Sequence, residues 1–147
     1  ERVYRAFLGP YQSYRAFFHG HTYSGNPLAC AAALANLDLI RRNKVVEGVF
    51  RKSAVFTKAL SSLRDLPCVR EVRQRGFMVG IELADGKRPF PVSRRVAYRV
   101  CLACRSRGLL IRPLGDVIVL MPPLTATEAE LRWMVRVVRE ALLETLY

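Results

Sequence analysis

Apolar positions recur at helical spacing in three long stretches of the chain and alternate with polar ones in between. Over residues 45–64, Val49, Phe56, Leu60 and Leu63 fall on one side of a helix. Asp65-Leu66-Pro67 ends it. Over residues 69–75, Val69 and Val72 stand among Arg70, Glu71 and Arg73. That mixture predicts an edge strand running into a turn at Gly76. Residues 77–83 are more uniformly apolar and predict a buried strand, with Gly80 marking a close approach by a neighbour. Asp85-Gly86-Lys87 predicts a turn, and Pro89 and Pro91 keep the following residues extended.

A third helix is expected over residues 93–107, stopped by Gly108. Residues 109–112 predict a strand, residues 113–116 a turn, and residues 117–121 a strand cut off by Pro122-Pro123. The last helix carries Leu131, Met134, Val135, Val138 and Leu142 on one face. Its start offers two capping-box registers, Thr125 with Glu128 or Thr127 with Glu130.

The first forty residues read differently. A short helix, a turn at Gly9-Pro10 and an aromatic approach ending at Phe17-Phe18 lead into a polar loop, residues 19–27. Asn26 is a good N-cap, and Pro27 suits the first helical position, where its missing N–H costs nothing. The helix expected over residues 28–42 is rich in alanine, which predicts close packing against other elements, including across an interface. The sum is an α+β domain of two layers, a short sheet of three or four strands with long helices on one side. Residues 43–147 make up that domain. Residues 1–42 read as a connecting segment that carries the polar loop.

Composition narrows the class. The chain has 147 residues, 51% hydrophobic and 24% charged, which suits a globular domain with its own core. No apolar run approaches the length of a bilayer span. The opening Glu1-Arg2-Val3-Tyr4 has no apolar leader, which favours a cytoplasmic protein. The first methionine is Met78, so the chain is expected to start inside a longer protein.

The formal charge is +12, from 24 basic and 12 acidic residues, with a pI near 10.3. Such a balance suits a nucleic-acid binder. The basic residues are nevertheless spread from Arg2 to Arg139, never more than two in a row, and arginine outnumbers lysine 20 to 4. A basic module binding nucleic acid or an acidic protein stays open as an alternative.

Candidate chemistry is sparse. There is no G-x-S-x-G, H-E-x-x-H or G-x-x-x-x-G-K pattern. Cys101 and Cys104 have metal-ligand spacing, but Cys30 and Cys68 are isolated, so the pair reads as small buried residues. His19 and His21 lack a nearby carboxylate or cysteine to complete a metal set. In the same loop, Gly20, the backbone N–H groups of His21 and Thr22, and the hydroxyls of Thr22 and Ser24 would suit a phosphate beside a helix N-terminus. A capping loop without a ligand is the other reading. Arg112, at the end of an expected strand, could grip a carboxylate through its planar fork, or be one surface arginine among twenty.

Residues 19–33, 73–83, 108–116 and 121–124 together resemble the class III aminotransferases, in the family's order and over essentially the whole chain. The wording of residues 19–33 and 111–116 is most similar to the biotin-pathway branch. The resemblance implies the C-terminal small domain of a fold-type I enzyme that depends on pyridoxal 5'-phosphate and works as a homodimer with active sites at the subunit interface. It implies that His21, by a backbone N–H, and Thr22, by its hydroxyl, reach the phosphate of the partner's cofactor. Gly20 would lie near the substrate, and Arg112 would bind the carboxylate of the acceptor, 8-amino-7-oxononanoate. The implied reaction is ping-pong transamination, with a Schiff-base lysine that lies upstream of the loop in the family. None of Lys44, Lys52, Lys58 and Lys87 matches that lysine, so these residues alone are expected to be inactive. The amino donor, adenosylmethionine or lysine, is not legible. Another class III ω-aminotransferase is the nearest rival reading.

Overall fold

A computed structural model describes residues 1–86 and 88–147, and these fold into five α-helices and four strands. The chain divides into two units, Glu1–Leu39 and Ile40–Tyr147.

The first unit opens with the short helix α1 (Arg2–Ala6) and a 3-10 turn at Tyr11–Ser13. Phe7 lies 5.4 Å from Phe17, and Tyr14 lies 6.4 Å from Phe18, ring centre to ring centre. Helix α2 (Pro27–Arg42) starts as its sequence predicts. The Asn26 side-chain oxygen accepts the Ala29 N–H at 3.1 Å, and the Asn26 carbonyl accepts the Cys30 N–H. None of the residues of α2 is buried.

The second unit is built on α3 (Val45–Arg64), β1 (Val69–Arg75), β2 (Met78–Leu83), α4 (Val96–Ser106), β3 (Arg112–Leu114), β4 (Val117–Leu120) and α5 (Glu128–Leu146). The strands form one antiparallel sheet in the order β1-β2-β4-β3. Gly76 turns the β1–β2 hairpin with a positive φ of 58°. The inward residues Val79, Ile81, Leu83, Ile118 and Leu120 are buried against the helices. Phe56, Leu60 and Leu63 of α3, Val96 and Val100 of α4, and Leu131, Val138 and Leu142 of α5 complete the same core. Lys52 fastens α3 to the loop before α5: its ammonium donates to the carbonyls of Leu124 (3.2 Å) and Ala126 (2.6 Å) and lies over the Phe77 ring.

Four local expectations need correction. Residues 93–95 do not belong to the helix. Val92–Arg94 form a 3-10 turn, and Arg95 takes a left-handed conformation (φ 46°) before α4 begins. Strand β3 is Arg112–Leu114, not residues 109–112. Arg112 therefore opens the strand, and the turn shrinks to Gly115-Asp116. Pro113 is accepted inside β3 because β3 is an edge strand, where a missing N–H costs no ladder bond. Phe77 lies in the hairpin turn, and β2 starts at Met78. Of the two capping registers, Thr127 with Glu130 is used: each side chain bonds the other's backbone N–H. Bonding to Thr127 holds the Glu130 carboxyl below its usual range. The Lys87 position of the expected turn lies outside the described residues.

Candidate functional site

The polar loop of the first unit is closed on itself. The His21 N–H donates to the Ser24 hydroxyl oxygen at 3.0 Å, and the Ser24 N–H donates back to the His21 carbonyl at 2.9 Å. The Asn26 N–H donates to the Tyr23 carbonyl. Thr22 sits at the crown of this turn, exposed, and among the described residues no hydrogen bond engages its N–H or its hydroxyl. The Ser24 hydroxyl accepts from His21 and keeps its own proton to donate. The His21 ring stands edge-on to His19, 5.3 Å between centres.

The sequence offered the His21 N–H as a phosphate donor. The structure uses it inside the turn and leaves the two donors of Thr22 and the Ser24 O–H, a few residues before the N-terminus of the 16-residue α2. Neutral donors at that place suit a phosphate dianion. The phosphate end of pyridoxal phosphate therefore fits the loop.

Arg112 belongs to the second unit and lies on the sheet face opposite the helices. The register fixes this. Arg112 is opposite Val119, Val119 is opposite Gly80, and Gly80 is opposite Arg73, so these four form one row across the sheet. The next row is Leu114, Val117, Glu82 and Glu71. Opposed residues share a face, and the core residues Ile81 and Ile118 sit on the other one. Arg112 is exposed and, among the described residues, enters no ion pair.

The arginines at the far edge are engaged. The Arg73 guanidinium donates to Glu71 at 2.6 Å and Glu82 at 2.7 Å, and Arg70 lies 3.3 Å from Glu82. The Arg73 bond holds the Glu82 carboxyl below its usual range. This network was not visible in the sequence. Its only trace is the charge alternation of β1, and pairing with Glu82 depends on the strand register.

The remaining candidates resolve into structure. Cys101 and Cys104 are buried on the inner side of α4, and burial pushes their thiols up to about 11 and about 12. Neutral thiols packed in a core are poor ligands and poor nucleophiles. Among the described residues no group of three or more His, Cys, Asp or Glu could hold a metal ion, and no helix is long and apolar enough to cross a membrane.

Comparison with known proteins gives these placements a context. Residues 2–142 match the family model described as aminotransferase class-III. The chain is 45% identical over 148 aligned residues to the adenosylmethionine-8-amino-7-oxononanoate aminotransferase of Anoxybacillus flavithermus, covering 99% of this chain and 33% of that protein. It is 46% identical to the Nitratidesulfovibrio vulgaris protein of the same name, covering 97% of this chain and 27% of that protein. The crystal structure of the Methanocaldococcus jannaschii enzyme of that name superposes with a TM-score of 0.88 at 40% identity, over 99% of this chain and 34% of that one. The chain thus spans about a third of the length of the curated relatives it matches. With a match that runs through the polar loop, the sheet and the last helix, the chain belongs to the class III aminotransferase family.

Proposed function

We propose that these residues are part of a pyridoxal-phosphate-dependent transaminase that passes an amino group to 8-amino-7-oxononanoate, giving 7,8-diaminononanoate in biotin synthesis. What carries the reading is a pair of anion sites of different kinds. Thr22 offers neutral donors suited to a phosphate, and Arg112 offers a guanidinium that is unpaired among the described residues and suited to a carboxylate. A transaminase of this kind needs both, one for cofactor and one for substrate. Relatives at 45–46% identity bearing that enzyme's name support the choice of acceptor.

In this reading residues 1–42 close the large domain and connect it to the small domain, residues 43–147. Thr22, through its hydroxyl and N–H, holds the cofactor phosphate of a second subunit. His21 shapes the loop by donating its N–H to Ser24. The α2 helix, alanine-rich and without a buried residue, supports a homodimer contact there. Gly20 lies near the substrate. A Cβ on Gly20 would meet nothing within 4 Å in this chain, which leaves room for a ligand beside it. Arg112 holds the acceptor carboxylate and so orients its carbonyl.

Bound pyridoxal phosphate supplies the electron sink through which an amino group is taken up and passed on. The lysine that moves the proton lies outside these 147 residues. Lys52 spends its ammonium on two loop carbonyls.

The reading is tested on the full-length protein with a panel of donors and acceptors, following products by mass spectrometry. Conversion of 8-amino-7-oxononanoate to the diamine, faster than conversion of ω-amino-acid-derived aldehydes, is the expected result. Preference for the latter would assign the protein to another branch of the family. A Thr22→Val variant should hold the cofactor roughly tenfold more weakly in dialysis, the worth of one hydrogen bond to a charged group.

A further inference from the structure

A small cavity of about 270 Å³ lies where the start of α4 meets the edge strand β3 and the turn that follows it. All of its lining belongs to the second unit. Val92, Tyr98 and Pro113 supply apolar wall, Arg95 a cation and Asp116 an anion. Pro113 is opposite the core residue Ile118, so it points to the helical side of the sheet, whereas Arg112 points to the other side.

The two charges share the cavity without pairing. Among the described residues neither Arg95 nor Asp116 enters an ion pair, with each other or with any other group. Each is held in place by something else. The Arg95 guanidinium lies over the Tyr98 ring, 4.1 Å from its centre. Such a contact fixes the group and leaves its in-plane N–H donors for another partner. Asp116 is half-buried in the two-residue turn after β3, where its backbone carbonyl accepts the Leu83 N–H at 2.9 Å. Among the described residues no hydrogen bond engages its carboxylate. Val92, on the same cavity, is left 90% exposed. A cation and an anion held apart beside uncovered apolar surface match a small molecule that carries both charges on a short aliphatic body.

We propose that this cavity binds a zwitterionic amino acid. Its carboxylate takes the Arg95 fork, its ammonium takes Asp116, and its side chain lies against Val92 and Tyr98. The volume keeps the ligand small, since sites for drug-sized molecules begin at about 300 Å³. The paired charges also make the site selective. An anion without an ammonium leaves Asp116 unanswered, and a cation without a carboxylate leaves Arg95 so. The assignment does not depend on the role of Arg112.

The test uses the full-length protein and three probes of nearly the same shape, titrated by calorimetry. α-Aminoisobutyrate carries both charges and has no α-hydrogen for transamination to remove. Pivalate keeps the carboxylate alone, and tert-butylamine the ammonium alone. α-Aminoisobutyrate should bind roughly tenfold more tightly than either, the effect of one further hydrogen bond between charged groups. Asp116→Asn and Arg95→Gly should each weaken its binding by roughly tenfold. Glycine suits position 95 because φ there is 46°, so that variant loses the guanidinium without straining the backbone. Asp116→Asn keeps the side-chain shape and serves if Arg95→Gly does not fold. A wild-type isotherm in either folded variant would overturn the proposal. Pivalate or tert-butylamine bound as tightly as α-aminoisobutyrate would overturn it too, and so would an absence of saturable α-aminoisobutyrate binding to the wild type.

Discussion

Replacement of Arg112 by alanine in the full-length protein should lower kcat/KM for a carboxylate-bearing acceptor by thirtyfold to several-thousandfold. The basis is the cost of removing one partner of a desolvated, hydrogen-bonded charge pair, roughly 2–5 kcal/mol. The register already aims the side chain away from the core, on an edge strand whose neighbour Val119 offers no competing charge. Arg112→Lys should recover only part of the loss, because an ammonium cannot present two parallel donors to one carboxylate. Acceptors without the carboxylate should lose little in either variant. Steady-state rates over an acceptor pair with and without the carboxylate decide the matter. Equal losses for both members would mean that Arg112 supports the hairpin rather than the substrate.

The second large effect is on stability. Phe56 is fully buried at the centre of the helical layer, edge-on to Phe77 at 6.1 Å. Phe56→Ala should destabilise the second unit by about 3–5 kcal/mol, through lost transfer free energy and the cavity left behind. Against a total of about 5–15 kcal/mol for a domain, that takes a large share of its stability. Six residues earlier on the same helix, Phe50 is 82% exposed. Phe50→Ala in this chain should change stability by no more than about 0.5 kcal/mol. Urea unfolding followed by circular dichroism compares the two. Similar midpoints for both variants would contradict the assigned core.

These two residues also show what the sequence could and could not convey. The helix holding Phe56 was legible because its apolar residues repeat at the helical period, and the same signal gave α5 and its buried face. The start of α2 was legible because Asn26 and Pro27 are local instructions. Arg112 was legible as a candidate, but its strand was placed three residues early. Pro113 was read as a stop, and only the sheet order reveals that β3 is an edge where proline is harmless. The start of α4 was misjudged because Arg95 adopts a left-handed conformation that arginine rarely takes. The Arg73–Glu82 pair and the row linking Arg112 to Gly80 depend on pairing between residues far apart in the chain. No local pattern encodes such a register. In the loop, the residue types suggested donors for a phosphate, but not that Ser24 would take the His21 N–H and leave Thr22 as the free pair of donors.

In the function proposed above, labour is divided: these residues hold cofactor phosphate and substrate carboxylate, and a lysine outside them moves the proton. The measurement that tests it most directly is a transamination assay run side by side on the 147-residue chain and on the full-length protein, each with pyridoxal phosphate, amino donor and 8-amino-7-oxononanoate. The expected result is formation of the diamine by the full-length protein and none by the chain alone. Turnover by the 147 residues, or none by the full-length protein with any donor, would contradict it.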